Sequence, residues 1–356
     1  MSVQDLRVYR ASSRPKDAKY TRPYWLSTYP PWRAPLEDDQ SLFRLDIPEV
    51  SAASKRRGAT YVGSNVNIAS ETEEDDLEDT PSEEELINLA LILRRPLLVV
   101  GPPGVGKSTL AYHIAWMLGL GEPLRWEINS RTTLKDGLYE YRAVEHLRDI
   151  QSLEKGGEKP PTEEYITLGP LGTAFVPSKT PRVLLIDELD KAQFDLPNDL
   201  LHILEEAKFT IKELLKEERS SIYPCDFRSD AEGNVDRDLI EVKKGTLQTY
   251  HHPVVVITSN GDRPFPPAFL RRCVQLKLDL PKKEQLKHIL LTQFRDAQTL
   301  DESKLFESEG ELLEAIDQVL ESLDGEELPT DQHIQRLFAQ VAFGVDPLVT
   351  DFATKR

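Results

Sequence analysis

PLLVVGPPGVGKSTL, residues 96–110, is the stretch that decides the fold. Leu97 to Val100 are apolar without a break and stand between Pro96 and Gly101. A run this short and continuous suits a parallel strand buried on both faces. An apolar helical period follows from residue 107 to residue 119. Between them GPPGVGKS, 101–108, fits G-x-x-x-x-G-K-[ST] in the context the pattern requires, after a strand and opening a helix. Gly101, Gly104 and Gly106 permit backbone angles and close approaches that side chains forbid. The loop of Gly101, Pro102, Pro103, Gly104, Val105, Gly106, Lys107, Ser108 and Thr109 is therefore expected to wrap phosphate oxygens at the positive end of a helix. Lys107 is placed to reach β- and γ-phosphates, and the Ser108 hydroxyl to hold Mg²⁺.

Working outward, similar runs recur at LRWEIN (124–129), RVLLID (182–187) and PVVVITSN (253–260), with a second helical candidate at 196–207. Strands alternating with helices in this way predict a doubly wound α/β sheet. Ser82 followed by Glu85 has the spacing of a capping box and predicts a helix running through Leu93. After Pro281 the pattern is helical, which predicts a small all-helical second domain.

RVLLIDELDK places Asp187 at the carboxyl end of a buried strand, the edge where open α/β sheets bind ligands. There Asp187 can hold Mg²⁺ through water, and Glu188 can orient or deprotonate the water that attacks a γ-phosphate. The amide of Asn260, ending the VVVITSN run, is placed to hold that water or the γ-phosphate. PPAFLRRCVQL carries Arg271 and Arg272 at the end of a helix. Such a pair compensates the helix dipole, or reaches the γ-phosphate held by a neighbouring subunit.

GPPGVGKS, VLLIDELDK, ITSN and PPAFLRRC, in this order and spacing, resemble the AAA+ ATPases. The stretches GPLGTAF (169–175) and NDLLHILEEAKFTI (198–211) narrow the resemblance to their MoxR-like branch, over about residues 82 to 345. The resemblance implies a P-loop core followed by a helical lid. It makes Lys107 and Ser108 the Walker A pair, Asp187 and Glu188 the Walker B pair, and Asn260 the sensor 1 residue. It implies Arg272 as the arginine finger, with Arg271 as the alternative, and Asn129 as a polar switch on Glu188. It also implies an insertion in about 131–168 and a hairpin in 208–252. The lid segment reads LPTDQHIQRLF, so sensor 2 falls loosely on Arg336 or His333, or is absent.

The chain has 356 residues, 39% hydrophobic and 29% charged, with 61 acidic against 44 basic side chains and a formal charge of -17. Such a surplus repels phosphate backbones and argues against a nucleic-acid client. Cys225 and Cys273 have no metal-ligand spacing, no transmembrane or signal segment is evident, and a cytoplasmic protein is expected. Composition divides the chain into a Pro- and aromatic-rich arm (1–70), an acidic linker (71–85), an α/β ATPase domain (86–280) and a helical lid (281–356). Residues 1–60 show no sustained period and read as irregular. The resulting expectation is an ATPase using ATP and Mg²⁺ in a homo-oligomeric, hexameric ring to remodel or activate a partner protein. The resemblance adds a partner with a von Willebrand factor A domain. A nucleotide-regulated switch or scaffold of a bacterial signalling or defence system is the alternative, and a DNA-acting motor the third.

Overall fold

The computed structural model describes residues 8–9, 30, 47–61, 81–153, 157–225, 228–229, 235–236 and 239–281, together with 283, 285–287, 289–291, 310 and 313–317. Its centre is a five-stranded parallel sheet of β1 (Leu97–Val100), β2 (Leu124–Glu127), β3 (Val183–Asp187), β4 (Val254–Ser259) and β5 (Val274–Lys277). The order across the sheet is β5-β1-β4-β3-β2, with every neighbouring pair parallel. The three central strands are β-branched and Leu-rich and bury nearly every residue. Their alternation sends Leu98, Leu184, Ile186, Val255 and Ile257 into one apolar layer, and Leu97, Val99, Val183, Leu185 and Val256 into the other. Each such side chain contributes roughly 1.5–3 kcal/mol on burial.

Helices α2 (Glu83–Leu93) and α3 (Lys107–Leu118) supply the second layer, with α1 (Ala52–Ala59) packed on the outside of α3, and α4 (Leu196–Glu206) packs in the first. Helix α2 begins with the expected capping box: Glu85 N donates to Ser82 Oγ at 3.2 Å and Ser82 N to Glu85 Oε2 at 2.8 Å. The helix therefore starts at Glu83, a few residues before the compositional boundary at 86.

Two expectations need correction. The segment read as irregular contains α1, which has few apolar residues and is held by tertiary contacts instead. Ser51 caps it, Ser54 donates to Glu122, and at Gly58 its backbone lies against Tyr112 and His113 of α3. The run at 124–129, read as buried on both faces, is an edge strand in which Leu124 and Trp126 are buried while Arg125 and Glu127 face outward. The fifth strand was not foreseen, because it has only four residues and alternates in the way an edge strand does.

Antiparallel pairs fill both expected insertions. Tyr139–Tyr141 pairs with Ile166–Leu168 in the first. In the second, Lys208–Thr210 pairs with Thr246–Gln248, Ser220–Ile222 with Ile240–Val242, and Arg228–Ser229 with Val235–Asp236, nested as one interrupted hairpin. Of the segment 281–356, the described positions at 283–291 and 310–317 are helical, and Lys287 Nζ reaches Asp317 Oδ1 at 2.5 Å. His333 and Arg336 lie outside the described residues, as do Tyr20, Tyr24, Trp25, Tyr29, Trp32 and most of the acidic run. No helix among the described residues is long and apolar enough to cross a membrane, and no disulfide joins Cys225 to Cys273.

Candidate nucleotide site

From β1 the chain crosses to the far edge at β2, whereas from β4, the neighbour of β1, it passes to β5 on the other side. The connections diverge at the carboxyl ends of β1 and β4, and a crevice forms there. The crevice has a volume of about 960 Å³ and is lined by the 103–109 loop, Asp187, Glu188, Thr258 and Asn260.

The cradle follows from its glycines. Gly106 caps α3 at φ 91°, a left-handed angle that side chains resist. A Cβ on Gly101 would stand 2.3 Å from the carbonyl oxygen of Leu278, so no larger residue fits where β1 turns into the loop. Lys107, 7% exposed, donates to the carbonyls of Gly101 and Pro102, each at 2.7 Å, and to Asn260 Oδ1 at 2.8 Å. Burial lowers its pKa below the ordinary lysine value, and the carboxylates of Asp190, Asp187, Glu188 and Asp262 offset only part of that. An anionic ligand in the cradle is the partner such an ammonium favours.

Ser108 and Asp187 meet as the sequence predicts, with Ser108 Oγ donating to Asp187 Oδ1 at 2.7 Å. The same oxygen accepts from Thr258 Oγ1 at 2.7 Å, and Oδ2 accepts from Arg125 Nη2 at 2.9 Å and Nε at 3.2 Å. Burial alone pushes the Asp187 pKa up. The hydrogen bonds from Ser108, Thr258 and Arg125 outweigh it and hold the carboxyl below its usual range, so it is charged at neutral pH. Among the described residues no group of three or more His, Cys, Asp or Glu side chains is placed to hold a metal. A hydroxyl beside one carboxylate is an oxygen donor set suited to Mg²⁺ that keeps phosphate and water ligands.

Glu188 turns away from the strand with φ 62°, its amide donating to Thr258 Oγ1 at 2.8 Å. Its carboxylate, 43% exposed, accepts from Lys191 Nζ at 2.5 Å at the edge of the crevice. Asn129, the expected switch, also lines the crevice. Its Oδ1 accepts from the Arg131 amide at 2.8 Å, while the side chain engaging Glu188 is Lys191.

Sequence reasoning missed four contributors. Thr258 fixes both acids at once, and its signal was its place two residues before Asn260 on the same strand face. Buried Asp190 accepts from the amides of Asn260 (2.9 Å) and Asp262 (3.2 Å) through Oδ2, which pins the turn that carries Asn260. Arg125 braces Asp187 across two strands. The end of α1 and the residues after it form a wall of the crevice: Arg57 and Tyr61 line it with Glu83, whose carboxylate accepts from the Tyr61 hydroxyl. His113 Nδ1 donates to the Gly58 carbonyl at 2.8 Å behind that wall.

Arg271 and Arg272 lie elsewhere. They follow a short helix, Pro267–Leu270, are exposed, and neither lines the crevice. Arg272 Nε donates to Glu205 at the end of α4, and Nη1 donates to the Ala268 carbonyl at 3.3 Å.

No curated protein matches the chain. Among solved structures, a closed-state cryo-EM reconstruction of Hsp104 with ATPγS and FITC casein is similar at 14% identity and a TM-score of 0.39. That similarity covers 72% of this chain and 43% of the other. A family model described as the AAA domain, dynein-related subfamily, matches residues 96–273, half of the sequence. Those residues include the whole phosphate loop, both acids, Asn260 and both arginines, and the chain belongs to that family.

Proposed function

We propose that the protein is a Mg²⁺-dependent ATPase of MoxR-like type that works as a ring and uses hydrolysis to remodel or activate a partner protein. The observation that carries this reading is the split just described. Lys107, Ser108, Asp187, Glu188 and Asn260 line one crevice, while Arg272 projects from another surface. An arginine in that position is available to the crevice of an adjacent copy.

The 101–109 loop and Lys107 bind the triphosphate, and Asn260, already bonded to Lys107, orients the γ end. Ser108 and Asp187 would hold Mg²⁺, which would supply Lewis-acid neutralisation of phosphate charge. Glu188 accepts a proton from the attacking water, for which its carboxylate must leave Lys191. Arg272 of a neighbouring copy stabilises the charge that develops on the γ-phosphoryl group. The MoxR-like assignment is supported by GPLGTAF, whose residues Pro170–Ala174 form a short buried helix, and by the long hairpin preceding β4. It carries the expectation of a client or adaptor with a von Willebrand factor A domain.

The test is Glu188→Gln in the full chain with Mg²⁺ and ATP. Retained nucleotide, lost turnover and a mass rising by light scattering to that of a ring are expected, and whatever protein co-purifies identifies the client. A mass that stays monomeric at all ATP concentrations would remove the ring. Absence of ATP binding and hydrolysis by the natural sequence would remove the activity.

A further inference from the structure

Arg125 stands on the edge strand β2, and its role rests on the nucleotide-site reading above. Register pairs Arg125 with Leu185 and Glu127 with Asp187, so strand alternation puts Arg125, Glu127 and Asp187 on one face of the sheet. That face borders the crevice, which all three line. The guanidinium is shared: Nε and Nη2 donate to Asp187 Oδ2, and Nη1 lies 2.8 Å from Glu127 Oε1. The other oxygen of Asp187 is taken by the hydroxyls of Ser108 and Thr258. A hydroxyl is neutral and can turn a lone pair to a cation. Arg125 is a full positive charge within a few ångströms of any cation that Ser108 and Asp187 hold.

We propose that Arg125 is a positioning residue that serves as the counter-cation of Asp187 and makes divalent-cation binding depend on nucleotide. Its two-point contact fixes the plane of the carboxylate. Its charge opposes a metal ion at the Ser108–Asp187 site until the triphosphate brings negative charge into the crevice and offsets it. Glu127 gives the guanidinium a second anchor on its own strand, so that it can release Oδ2 without leaving the face.

The experiment measures Mn²⁺ affinity of the full chain by EPR or calorimetry, with and without saturating ATPγS. Arg125→Gln is expected to tighten Mn²⁺ binding without nucleotide by about ten-fold, the repulsion of one unit charge on a dication at roughly 5 Å in high dielectric. The gain from adding ATPγS shrinks correspondingly, and Arg125→Lys, which keeps the charge, restores most of it. An unchanged or weaker Mn²⁺ affinity in an Arg125→Gln variant that melts as cooperatively as the natural sequence overturns the proposal. Should Arg125→Gln fail to fold, Arg125→Lys is read in the same way, and there it is tighter Mn²⁺ binding despite the kept charge that overturns it. If the natural sequence binds no Mn²⁺ even with ATPγS, the nucleotide-site reading fails as well. Normal binding by the natural sequence with no tightening in Arg125→Gln removes the role of Arg125 alone.

Discussion

The crevice and the arginine surface handle charge in opposite ways. In the crevice, Lys107 and Asp187 are buried and each is held by three groups: Lys107 by two carbonyls of its own loop and Asn260, Asp187 by side chains from three separate elements. On the other surface, Arg272 is exposed and tied to Glu205, itself 43% exposed. Buried polar groups left unpaired cost several kcal/mol, so the first set is fixed by folding. An exposed ion pair is worth about 0–1 kcal/mol, so the second can exchange Glu205 for another anion at little cost. On the proposed function, binding is thus built into one chain, whereas the arginine proposed to serve turnover is only lightly restrained and faces outward.

The largest effect that tests this contrast is Arg272→Ala. Turnover is expected to fall by about 10³-fold or more, while ATP affinity stays within a few-fold. Mixing Arg272→Ala with Glu188→Gln should recover some hydrolysis, because one variant supplies an intact crevice and the other an intact arginine. Each variant alone would stay inactive. Loss of affinity in Arg272→Ala, measured with a fluorescent nucleotide, would break the comparison by placing that side chain in its own crevice.

Lys107→Ala acts on the other side of the contrast, and nucleotide affinity itself should drop by about 100-fold or more. It removes the donor that ties Gly101, Pro102 and Asn260 together, so the melting temperature should also fall, and adding nucleotide should no longer raise it.

The crevice in turn depends on the sheet beneath it. Leu98 is fully buried in β1, just ahead of the phosphate loop. Leu98→Ala is expected to cost roughly 2–5 kcal/mol in chemical denaturation. Nucleotide affinity in the fraction that stays folded should change much less, because the cradle is held by backbone contacts above the cavity that the substitution leaves.

What was legible in the sequence follows the same division. The strand, loop and helix of 97–118 are contiguous, and their signals are local: an apolar run, glycines at left-handed positions and a helical period. Asp187, Glu188 and Asn260 were legible because each stands at or just after the end of a buried strand. Arg125 was not, since its meaning depends on β2 lying beside β3, a contact across 62 residues that periodicity does not encode. Helix α1 was missed for a related reason: AASKRRGA has little apolar character of its own, and contacts to α3 and Glu122 hold it in place.

The smallest effect examines the wall that α1 and α2 add to the crevice. The capping box at Ser82 is exposed, so Ser82→Ala removes a cap without opening a cavity, at a cost of about 1 kcal/mol. For a domain of this size that lowers the melting temperature by about 2–4 °C. The first turn of α2 also carries Glu83, whose carboxylate holds Tyr61 on the crevice wall, so fraying there should weaken nucleotide binding by about two- to three-fold. A thermal melt paired with a nucleotide titration separates the two consequences. A lowered melting temperature with unchanged affinity would mean that the wall contributes only to stability, and that the nucleotide is held by the phosphate loop and strand ends alone.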